Sequence, residues 1–434
     1  MEDILYKKLM DALALTLKGR KNAESVRYAM HAEHNIRQLE DKIRSRALKP
    51  FAEAFINISP CQREIFNLSM DYGVIQHLYD LEMRGIMESL MSDRTYNNRV
   101  GKGAKAAINR LSDDIREVTK DYTEKAWIIG QDIRGCFPNT DLNITYGIQR
   151  NIIEKYYCGP IKDDLLYILQ AVNYSYPAKH CTRITDPSEW ENIPDYKSLF
   201  KQPDNKGGII GSLYWQFAVG FNFNKFDHAQ ELLGENIRYV RFVDDMRWVI
   251  PAQDKDMFLR TVIPWQREML RSLGMELHPK KFYCQPCSHG TNFIGRTVKM
   301  SRIYPSRRIV RRSHARIAEM NSIAFPKYIE SFISSINSYI GILKGCNGYN
   351  RVMELLNMLS PQWRKYVYFD NAKMCVKAKE GYRHYELIGR KLKIDINHSK
   401  KWNKKINYHR SSQGNLNCNR SCTTVPQRLC AASC

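Results

Sequence analysis

The sequence predicts an α+β protein in which helical segments surround a small antiparallel sheet. Apolar residues recur at four-residue spacing near the start of the chain, as at Leu9, Leu13 and Leu17, which indicates an amphipathic helix within residues 1–50. Residues 126–129 instead form a short apolar run, which is typical of a buried strand. Residues 238–250 alternate apolar side chains around an acidic pair, which is typical of a β-hairpin.

The same patterns place the remaining elements in order. Helical patterns occupy residues 60–125, 212–232, 255–273 and 328–359, and strand patterns occupy residues 275–299. Pro138 and Asn139 end the strand that leads into Asp132, and we expect a helix after them. Residues 182–208 are rich in Pro, Asp, Asn and Gly, so they are expected to form a loop.

The charge of the chain indicates a polyanionic partner. The formal net charge is +22 over 434 residues. Contacts from Lys and Arg to phosphates dominate the affinity of proteins for nucleic acid, so an excess of this size favours such a partner. A solubilising surface is the alternative that composition alone leaves open. Beyond Asp395 the chain has no acidic residue but several Lys and Arg, which predicts a basic tail.

The expected location is the cytoplasm. Charged residues interrupt the apolar ones near the N-terminus, and no run of ~18 apolar residues predicts a membrane span. The twelve cysteines are therefore expected to be reduced thiols. Cys284 and Cys287 have a CxxC spacing without a second pair nearby. Four cysteines in the tail are spaced more loosely than usual zinc ligands, so an ordinary tail is expected there: Cys418, Cys422, Cys430 and Cys434.

Two acidic sites beside apolar strands carry the chemistry. Asp132 follows the first strand, and Asp244 and Asp245 interrupt the hairpin. An isolated Asp-Asp pair is usually an exposed turn, but two-residue hairpin turns favour Asn-Gly or Asp-Gly. Phosphoryl transfer by two metals needs carboxylates that bridge ions roughly 3.5–4 Å apart. One carboxylate from a strand end and two from an adjacent hairpin tip would supply them.

Both acidic segments resemble catalytic motifs of reverse transcriptases. Residues Gln131–Asn139 are similar to the first catalytic motif in the form found in group II intron and retron-like enzymes. Residues Tyr239–Asp245 resemble the Tyr-x-Asp-Asp hairpin of the same family, with Phe242 at the Tyr position. The resemblance implies a right-hand polymerase fold with fingers, a palm built on an antiparallel sheet with helices, and a helical thumb.

The resemblance also implies a set of ligands for two Mg²⁺ ions, with Mn²⁺ as a substitute. Asp132, Asp244 and Asp245 would hold the metals through their carboxylates, and Ile133 through its carbonyl. Phe137 would lie beneath the sugar and select deoxynucleotides by crowding the 2′-hydroxyl. Outside this motif, Phe137 would be interpreted as a core aromatic.

Two fingers motifs also have counterparts. Residues Pro60–Ile65 resemble the segment that contacts the incoming triphosphate, which makes Arg63 a candidate phosphate clamp because its guanidinium offers a planar fork to phosphate oxygens. Residues Asn98–Gly103 resemble the next motif, so Arg99 and Lys102 are candidate nucleic-acid contacts.

Residues Gly207–Asp227 resemble the template-gripping motif, in which Gly211 and Gln216 are candidate nucleotide-binding residues. Ile210 stands before Gly211, and an apolar residue there is typical of diversity-generating retroelements and of bacterial defence-associated enzymes. Departures from the motif occur where other members have Pro, Ser and Asn: Ile209, Trp215 and Gly220. Trp215 is bulky at a position that normally packs near template and primer, and together with Ile209 and Ile210 it motivates an alternative, synthesis without a template.

Later segments complete the resemblance. Residues Leu277–Lys281 are similar to the motif whose lysine protonates the leaving pyrophosphate, which makes Lys281 a candidate general acid beside Lys280. A solvated basic loop is the alternative there. Residues Gly290–Gly295 resemble the primer grip. A basic cluster without acids follows, and it supplies candidate nucleic-acid contacts: Arg307, Arg308, Arg311 and Arg312.

The implied organisation has five parts. They are an N-terminal helical extension (1–50), fingers (51–125), a palm (126–300) with a fingers insertion at about 160–205, a thumb (301–395) and a basic tail (396–434).

The implied activity is RNA-directed DNA synthesis. Its expected partners are a non-coding RNA template, dNTPs and the DNA product. The family likeness extends this to antiviral (phage) defence in bacteria, with a homo-oligomer or a partner defence protein left open. One alternative is a template-independent or protein-primed polymerase that makes low-complexity DNA. The other is an inactive RNA-binding scaffold.

Overall fold

A computed structural model describes residues 4–20, 22–49, 52–57, 62–322, 329–346 and 348–379. The predicted basic tail and its four cysteines lie outside these residues, as do Pro60 and Cys61 of the first fingers motif. The chain divides into two compact units. The first comprises Met1–Ala324 and Ser335–Leu359, and the second comprises Phe325–Ser334 and Ser360–Cys434.

The described residues contain helices and strands throughout, as an α+β protein requires. The α-helices are α1 Ile4–Leu17, α2 Ala23–Met30, α3 Ala32–Arg44, α4 Met70–Leu90, α5 Ala104–Val118, α6 Leu142–Tyr156, α7 Lys162–Asn173, α8 Pro177–His180, α9 Ser188–Glu191, α10 Leu213–Asn222, α11 Asn224–Glu231, α12 Lys255–Met257, α13 Ile263–Ser272, α14 Arg307–Asn321, α15 Ile329–Lys344, α16 Tyr349–Asn357 and α17 Pro361–Arg364. The strands are β1 Ala52–Asn57, β2 Arg63–Leu68, β3 Ala126–Asp132, β4 Cys181–Arg183, β5 Arg238–Phe242, β6 Asp245–Pro251, β7 Tyr283–Pro286, β8 Thr291–Phe293, β9 Arg296–Val298, β10 Ile303–Pro305, β11 Val367–Asp370 and β12 Cys375–Ala378.

The helical prediction for the N-terminal segment is confirmed. Leu5, Leu9 and Leu13 are buried along one face of α1, which packs against α4. The four-residue spacing produces this face because a helix turns once every 3.6 residues. Asn22 caps α2 by accepting a hydrogen bond from the backbone N–H of Ser25.

The start of the segment predicted to be helical, residues 60–125, forms the strand β2 instead. β1 and β2 form an antiparallel pair, and β4 joins β1 in parallel to complete a three-stranded sheet. The side chains of β2 alternate: Glu64 and Phe66 are buried, whereas Arg63 and Asn67 are exposed. This period of two is the strand pattern, but six residues beside a long helix were too short to reveal it. Helix begins only after Ser69, which caps α4 through Tyr72 N–H.

A four-stranded antiparallel sheet lies at the centre of the first unit, in the order β5-β6-β3-β7. The predicted strand and hairpin are therefore confirmed. One face of the sheet packs through Ile129 and Trp248 into the larger apolar core. The other face packs through Ile128 and Val249 into a second core. α5 and the β8–β9 hairpin contribute to that second core. Burial of both faces explains why β3 and β6 are nearly continuous apolar runs.

Other predicted elements are present with adjusted ends. The helix expected over 212–232 divides into α10 and α11 at Phe223, and the segment 255–273 is continuous, with a π-helical stretch at Phe258–Val262 between α12 and α13. The expected loop at 182–208 holds only short elements. Within the second unit, the Phe332 and Trp363 rings stack 4.1 Å apart, and β11 pairs with β12. None of the helices in the described ranges combines the length and apolar character that crossing a bilayer requires.

Candidate catalytic centre

Three carboxylates meet at one end of the central sheet. Asp132 ends β3, and its register partner on β6 is Asp245. The hairpin turn before Asp245 carries Asp244, whose backbone carbonyl accepts a hydrogen bond from Ile133 N–H at 3.0 Å. Paired residues on adjacent antiparallel strands lie within about 5.5 Å of each other at Cα. The predicted convergence of these three acids is therefore built into the backbone pairing.

The Ile133 carbonyl faces the same side as the acidic turn. In an antiparallel pair the N–H and C=O groups of one residue point towards the same neighbour. Since the N–H of Ile133 bonds to Asp244, its carbonyl is directed towards the hairpin as well. On the opposite edge, Asp132 C=O accepts from His278 N–H at 2.8 Å, which fixes the loop that carries Lys281 beside the end of β3.

Burial and mutual repulsion raise the proton affinity of the hairpin acids. Burial, followed by the charge of Asp132, raises the pKa of Asp244 to about 6. Burial also raises the pKa of Asp245, although the guanidinium of Arg247 opposes that shift. The Cys136 thiol lies behind the acids, and burial with the Asp244 charge raises its pKa well above the usual value. These acids therefore favour any added positive charge.

Two of the three carboxylates form an ion pair with a basic side chain. Lys281 Nζ lies 2.8 Å from both Oδ1 and Oδ2 of Asp132. Arg247 Nη1 donates to Asp245 Oδ1 at 2.5 Å. The same guanidinium donates to Thr291 Oγ1 and to the Asn292 carbonyl in the primer-grip-like hairpin. Among the described residues Asp244 forms no ion pair.

The turn that presents Asp244 is strained and held from two sides. Val243 has φ +60°, an unusual left-handed conformation for a β-branched residue that costs on the order of 1–3 kcal/mol. Its N–H donates to Asn97 Oδ1 at 3.1 Å, and its carbonyl accepts from Arg241 Nη1 at 2.9 Å. The segment before Asn97 pairs with β5, because Arg241 N–H donates to Arg94 C=O and Tyr96 N–H donates to Arg241 C=O.

A row of buried amides supports the strand that ends at Asp132. Gln131 Nε2 donates to Gln266 Oε1 at 2.9 Å, and Gln266 Nε2 donates to Gln230 Oε1 at 2.7 Å. Gln230 Nε2 then donates to the Phe226 carbonyl at 3.2 Å. The row connects β3 through α13 to α11 and reaches the residue adjacent to Asp132.

The donor set fits hard divalent cations such as Mg²⁺. Within the described ranges, no three His, Cys, Asp or Glu side chains form a cluster that could hold a metal by themselves. Mg²⁺ does not require such a cage, because it usually binds one or two carboxylates together with water and substrate phosphates. Asp244, with its raised pKa and without an ion pair, lies beside Asp132 and Asp245 and suits that mode.

The turn after Asp132 forms a second part of the site. The Phe137 carbonyl accepts from Gly208 N–H at 2.8 Å, and Thr140 C=O accepts from Gly207 N–H at 2.9 Å. A Cβ on Gly208 would lie 3.0 Å from the Phe137 oxygen, so glycine permits this approach. The first motif and the template-gripping motif are thus in direct backbone contact. Phe137 itself is half-buried.

Two departures from the template-gripping motif are core residues. Ile209 and Trp215 are each 1% exposed, and Trp215 packs beneath Gly208. Their bulk therefore lies in the interior rather than on the surface next to the strand ends. Ile210 and Gln216 are half-buried, and the Gln216 carbonyl accepts from Asn98 Nδ2 at 3.0 Å.

The structure places Gly211 next to the strand that carries Arg63. Phe66 N–H donates to Ile210 C=O, and a Cβ on Gly211 (φ +108°) would lie 2.9 Å from the Phe66 carbonyl oxygen. Arg63 is exposed at the start of β2 and has no ion-pair partner among the described residues. Its guanidinium is thus accessible to a ligand.

Arg99 and Lys102 are engaged by their own loop. The Arg99 side chain is 7% exposed and donates to the carbonyls of Ser92, Thr95 and Glu88. Lys102 Nζ bonds to the carbonyl and carboxylate of Asp93. Both cations shape the turn after α4, so their predicted contact with nucleic acid would require these bonds to break.

The basic cluster after the primer-grip-like hairpin lies on α14. Arg307, Arg308 and Arg311 are exposed, and Arg312 is half-buried. Arg307 and Arg308 lie in the first turn of α14, where cations oppose the helix dipole, so helix stability does not explain these two residues. All seven described cysteines are free, and they include Cys284 and Cys287.

Sequence patterns alone missed the arginines that hold the acidic hairpin. Arg241 lies three residues before Asp244, and Arg247 lies two residues after Asp245. Both occupy otherwise apolar strands, where an uncompensated charge is costly. That cost is the signal that could have identified them as partners of buried acids.

Comparisons with known proteins leave the family open. No family profile matches the chain, and no curated protein matches it. Among solved structures, apo telomerase from Candida tropicalis has 10% identity and a TM-score of 0.44, covering 72% of this chain and 58% of that one. A version truncated from its C-terminal domain has 10% identity and a TM-score of 0.41, covering 63% and 60%.

Telomerase from Candida albicans in complex with a fragment of telomeric RNA has 11% identity and a TM-score of 0.41, covering 73% of this chain and 56% of that one. The chain thus spans about three fifths of the length of each of these proteins. At these values the likeness is too weak to assign a family.

Proposed function

We propose that this protein is a reverse transcriptase, an RNA-directed DNA polymerase that uses two Mg²⁺ ions. The observation that carries the proposal is the pairing of Asp132 with Asp245 beside the Asp244 turn, tied by the bond from Ile133 N–H to Asp244 C=O. A strand end and a hairpin tip together present three carboxylates at one edge of a sheet. Two-metal phosphoryl transfer requires such a set of ligands.

The roles of the residues follow from their positions. Asp132, Asp244, Asp245 and the Ile133 carbonyl would hold the metals, which when bound stabilise charge on the attacking and leaving oxygens. Phe137 would lie beneath the sugar of the incoming nucleotide.

Lys281 would donate a proton to the leaving pyrophosphate, after exchanging its contact with Asp132 for the phosphate. Arg63 would bind the triphosphate, and Gly211 and Gln216 would line the nucleotide site. Arg307, Arg308, Arg311 and Arg312 would contact a nucleic-acid backbone.

An RNA template is favoured over synthesis without one. The alternative rested on Ile209, Ile210 and Trp215. Ile209 and Trp215 are buried in the core, and Ile210 is half-buried. A side chain in the core does not narrow a template groove. We further propose a non-coding RNA as the template and a role in bacterial phage defence, on the family resemblance alone.

The activity is tested by incubating the purified full chain with Mg²⁺ and each labelled dNTP, with and without its co-purified RNA. Incorporation that pre-treatment with RNase abolishes supports the proposal. Incorporation by RNA-free protein would contradict the template requirement and indicate a terminal or protein-primed polymerase. Tight RNA binding without incorporation would indicate an inactive scaffold. Deep sequencing of the co-purified RNA then identifies the template.

Sugar selection gives a second test, on Phe137→Val. The smaller side chain leaves room for a 2′-hydroxyl, so we expect this variant to incorporate ribonucleotides that the wild type rejects. The measurement is the ratio of kcat/KM for dNTP and NTP. Phe66→Val, at a buried aromatic in β2, is the control for loss of aromatic packing. An unchanged ratio for Phe137→Val would contradict its assigned role.

A further inference from the structure

A fully buried ion pair lies directly behind the acidic turn. The side chains of Arg241 and Asp227 are both 0% exposed. The pair is bidentate: Nε donates to Oδ1 at 2.8 Å and Nη2 donates to Oδ2 at 2.6 Å. Tyr239 Oη also donates to Oδ1 of the same carboxylate at 2.8 Å. An ion pair withdrawn from water is retained only when its geometry and its remaining hydrogen bonds are satisfied.

The guanidinium has further donors, and they reach the backbone near the metal ligands. Nη1 donates to the Val243 carbonyl at 2.9 Å, and Nη2 donates to the Gly220 carbonyl at 2.8 Å. One planar group therefore contacts the hairpin turn, α10 and α11 at the same time. Lysine could not replace these contacts, because its single nitrogen lacks the fixed fork of arginine.

The contact with Val243 controls the peptide that precedes Asp244. The Val243 carbonyl belongs to the peptide group that leads into Asp244, so fixing its oxygen fixes the rotation of that plane. Asn97 holds the N–H on the other side of Val243. The left-handed Val243 persists only where its surroundings hold both flanking peptides. Without these bonds Val243 could leave the left-handed region, and the peptide that leads into Asp244 would rotate.

We propose that Arg241 is a positioning residue for Asp244, and that Asp227 orients it from α11. The inference rests on the proposed polymerase function, because it assigns a role in presenting a metal ligand. It also connects the helix that carries Gln216 to the acidic turn, since Gly220 on α10 is one of the carbonyls that Arg241 holds. The pair therefore links the acidic turn to α10, in addition to occupying space in the core.

Three variants separate positioning from simple structural support. Arg241→Lys keeps the charge but loses the fork. Arg241→Met/Asp227→Leu/Tyr239→Phe replaces the whole polar group with apolar side chains, which can restore stability but supplies no donor to Val243. Tyr239→Phe is the matched control, because it removes a bond to Asp227 at the same depth without touching the turn.

Each variant is assayed for the melting temperature, for Mn²⁺ affinity by electron paramagnetic resonance, and for kcat and KM with dNTP. We expect Arg241→Lys and the triple variant to lose kcat by roughly 100-fold, the scale of a misplacement near 1 Å, with KM little changed. We expect weaker Mn²⁺ binding in both variants. Tyr239→Phe leaves the Arg241 fork and its bond to Val243 in place, so it should retain more kcat and more Mn²⁺ affinity than either of these variants.

The outcomes distinguish this inference from the proposed function. A triple variant that regains both thermal stability and kcat would overturn the positioning role and leave only a structural one. A triple variant that regains stability but neither kcat nor Mn²⁺ affinity supports it. If the wild type neither binds Mn²⁺ nor incorporates dNTP, the polymerase function itself is overturned. If the wild type is active and Arg241→Lys equals Tyr239→Phe, only the positioning role is lost.

Discussion

The two cations at the carboxylate site differ in how firmly the protein holds them. On the loop side, the Lys281 side chain is 52% exposed, and its ammonium bonds to Asp132 alone among the described residues. On the sheet side, Arg247 is 7% exposed and also bonds to Thr291 and Asn292. An exposed lysine can leave its partner at little cost, whereas a buried arginine cannot. The difference suits Lys281 for chemistry and Arg247 for fixing geometry.

The largest expected effect comes from removing the carboxylate between these two pairs. If the proposed mechanism holds, Asp244→Asn should lower kcat by more than roughly 10³-fold, because it would withdraw a ligand from metals that contribute several kcal/mol. Single-turnover incorporation measures this loss. Asp113→Asn, at an exposed acid on α5, is the control and should retain full activity. Substantial activity in Asp244→Asn would be incompatible with the two-metal mechanism.

The comparison of the two cations is tested by removing each one in turn. Arg247→Met should lower the free energy of unfolding by about 1–3 kcal/mol, because the Thr291 hydroxyl and the Asn292 carbonyl would lose a buried donor. Lys281→Met should lower it by no more than about 1 kcal/mol, because the lysine itself is half-exposed and water can replace its ammonium. Urea denaturation measures both changes. Equal losses would show that the two pairs are held alike.

A chemical role for Lys281 predicts that its removal slows the reaction strongly, although it changes the stability of the fold only slightly. Lys281→Met should slow the single-turnover step by roughly 10²-fold, the lower end of general acid catalysis. The adjacent exposed lysine provides the control, so Lys280→Met should be nearly as fast as the wild type. A larger loss in Lys280→Met would move the proton-donor role to that residue.

The smallest expected effect is a dependence of stability on pH. Because the folded-state pKa of Asp244 is raised to about 6, the folded protein binds this proton more tightly than the unfolded chain. Its contribution to stability is complete below the unfolded value near 3.9 and declines as the pH rises towards 6. Asp244→Asn has no ionisable side chain at this position, so its stability lacks this dependence on pH.

We therefore expect the metal-free wild type to lose stability relative to Asp244→Asn as the pH rises from 4 to 6. The measurement is urea denaturation in EDTA at several pH values. A constant difference between the two proteins would contradict the raised pKa.

The sequence predicted the elements that carry the acids, because their signals are local. The apolar run before Asp132 and the alternation around Asp244 and Asp245 each lie within a few residues. β1 and β2 escaped prediction, because a six-residue alternation next to a long helix gives little periodicity. Arg99 bonds to backbone carbonyls, which no sequence pattern reveals. Trp215 is buried by residues that are distant in sequence. Arg241 bonds to α10 and α11, and Arg247 bonds to β8, so these partners depend on tertiary packing that no local pattern reveals.

The row of buried amides that ends at Gln131 has a fixed direction. The Phe226 carbonyl can only accept, so Gln230 must present its NH₂ group there and its oxygen to Gln266. Gln266 must then present its oxygen to Gln131. Rotating any one of these amides would bring two oxygens or two NH₂ groups face to face. A glutamate in place of Gln230 would still accept the bond from Gln266, but its second oxygen would face the Phe226 carbonyl, so the repulsion would arise at the end of the row that is distant from Asp132.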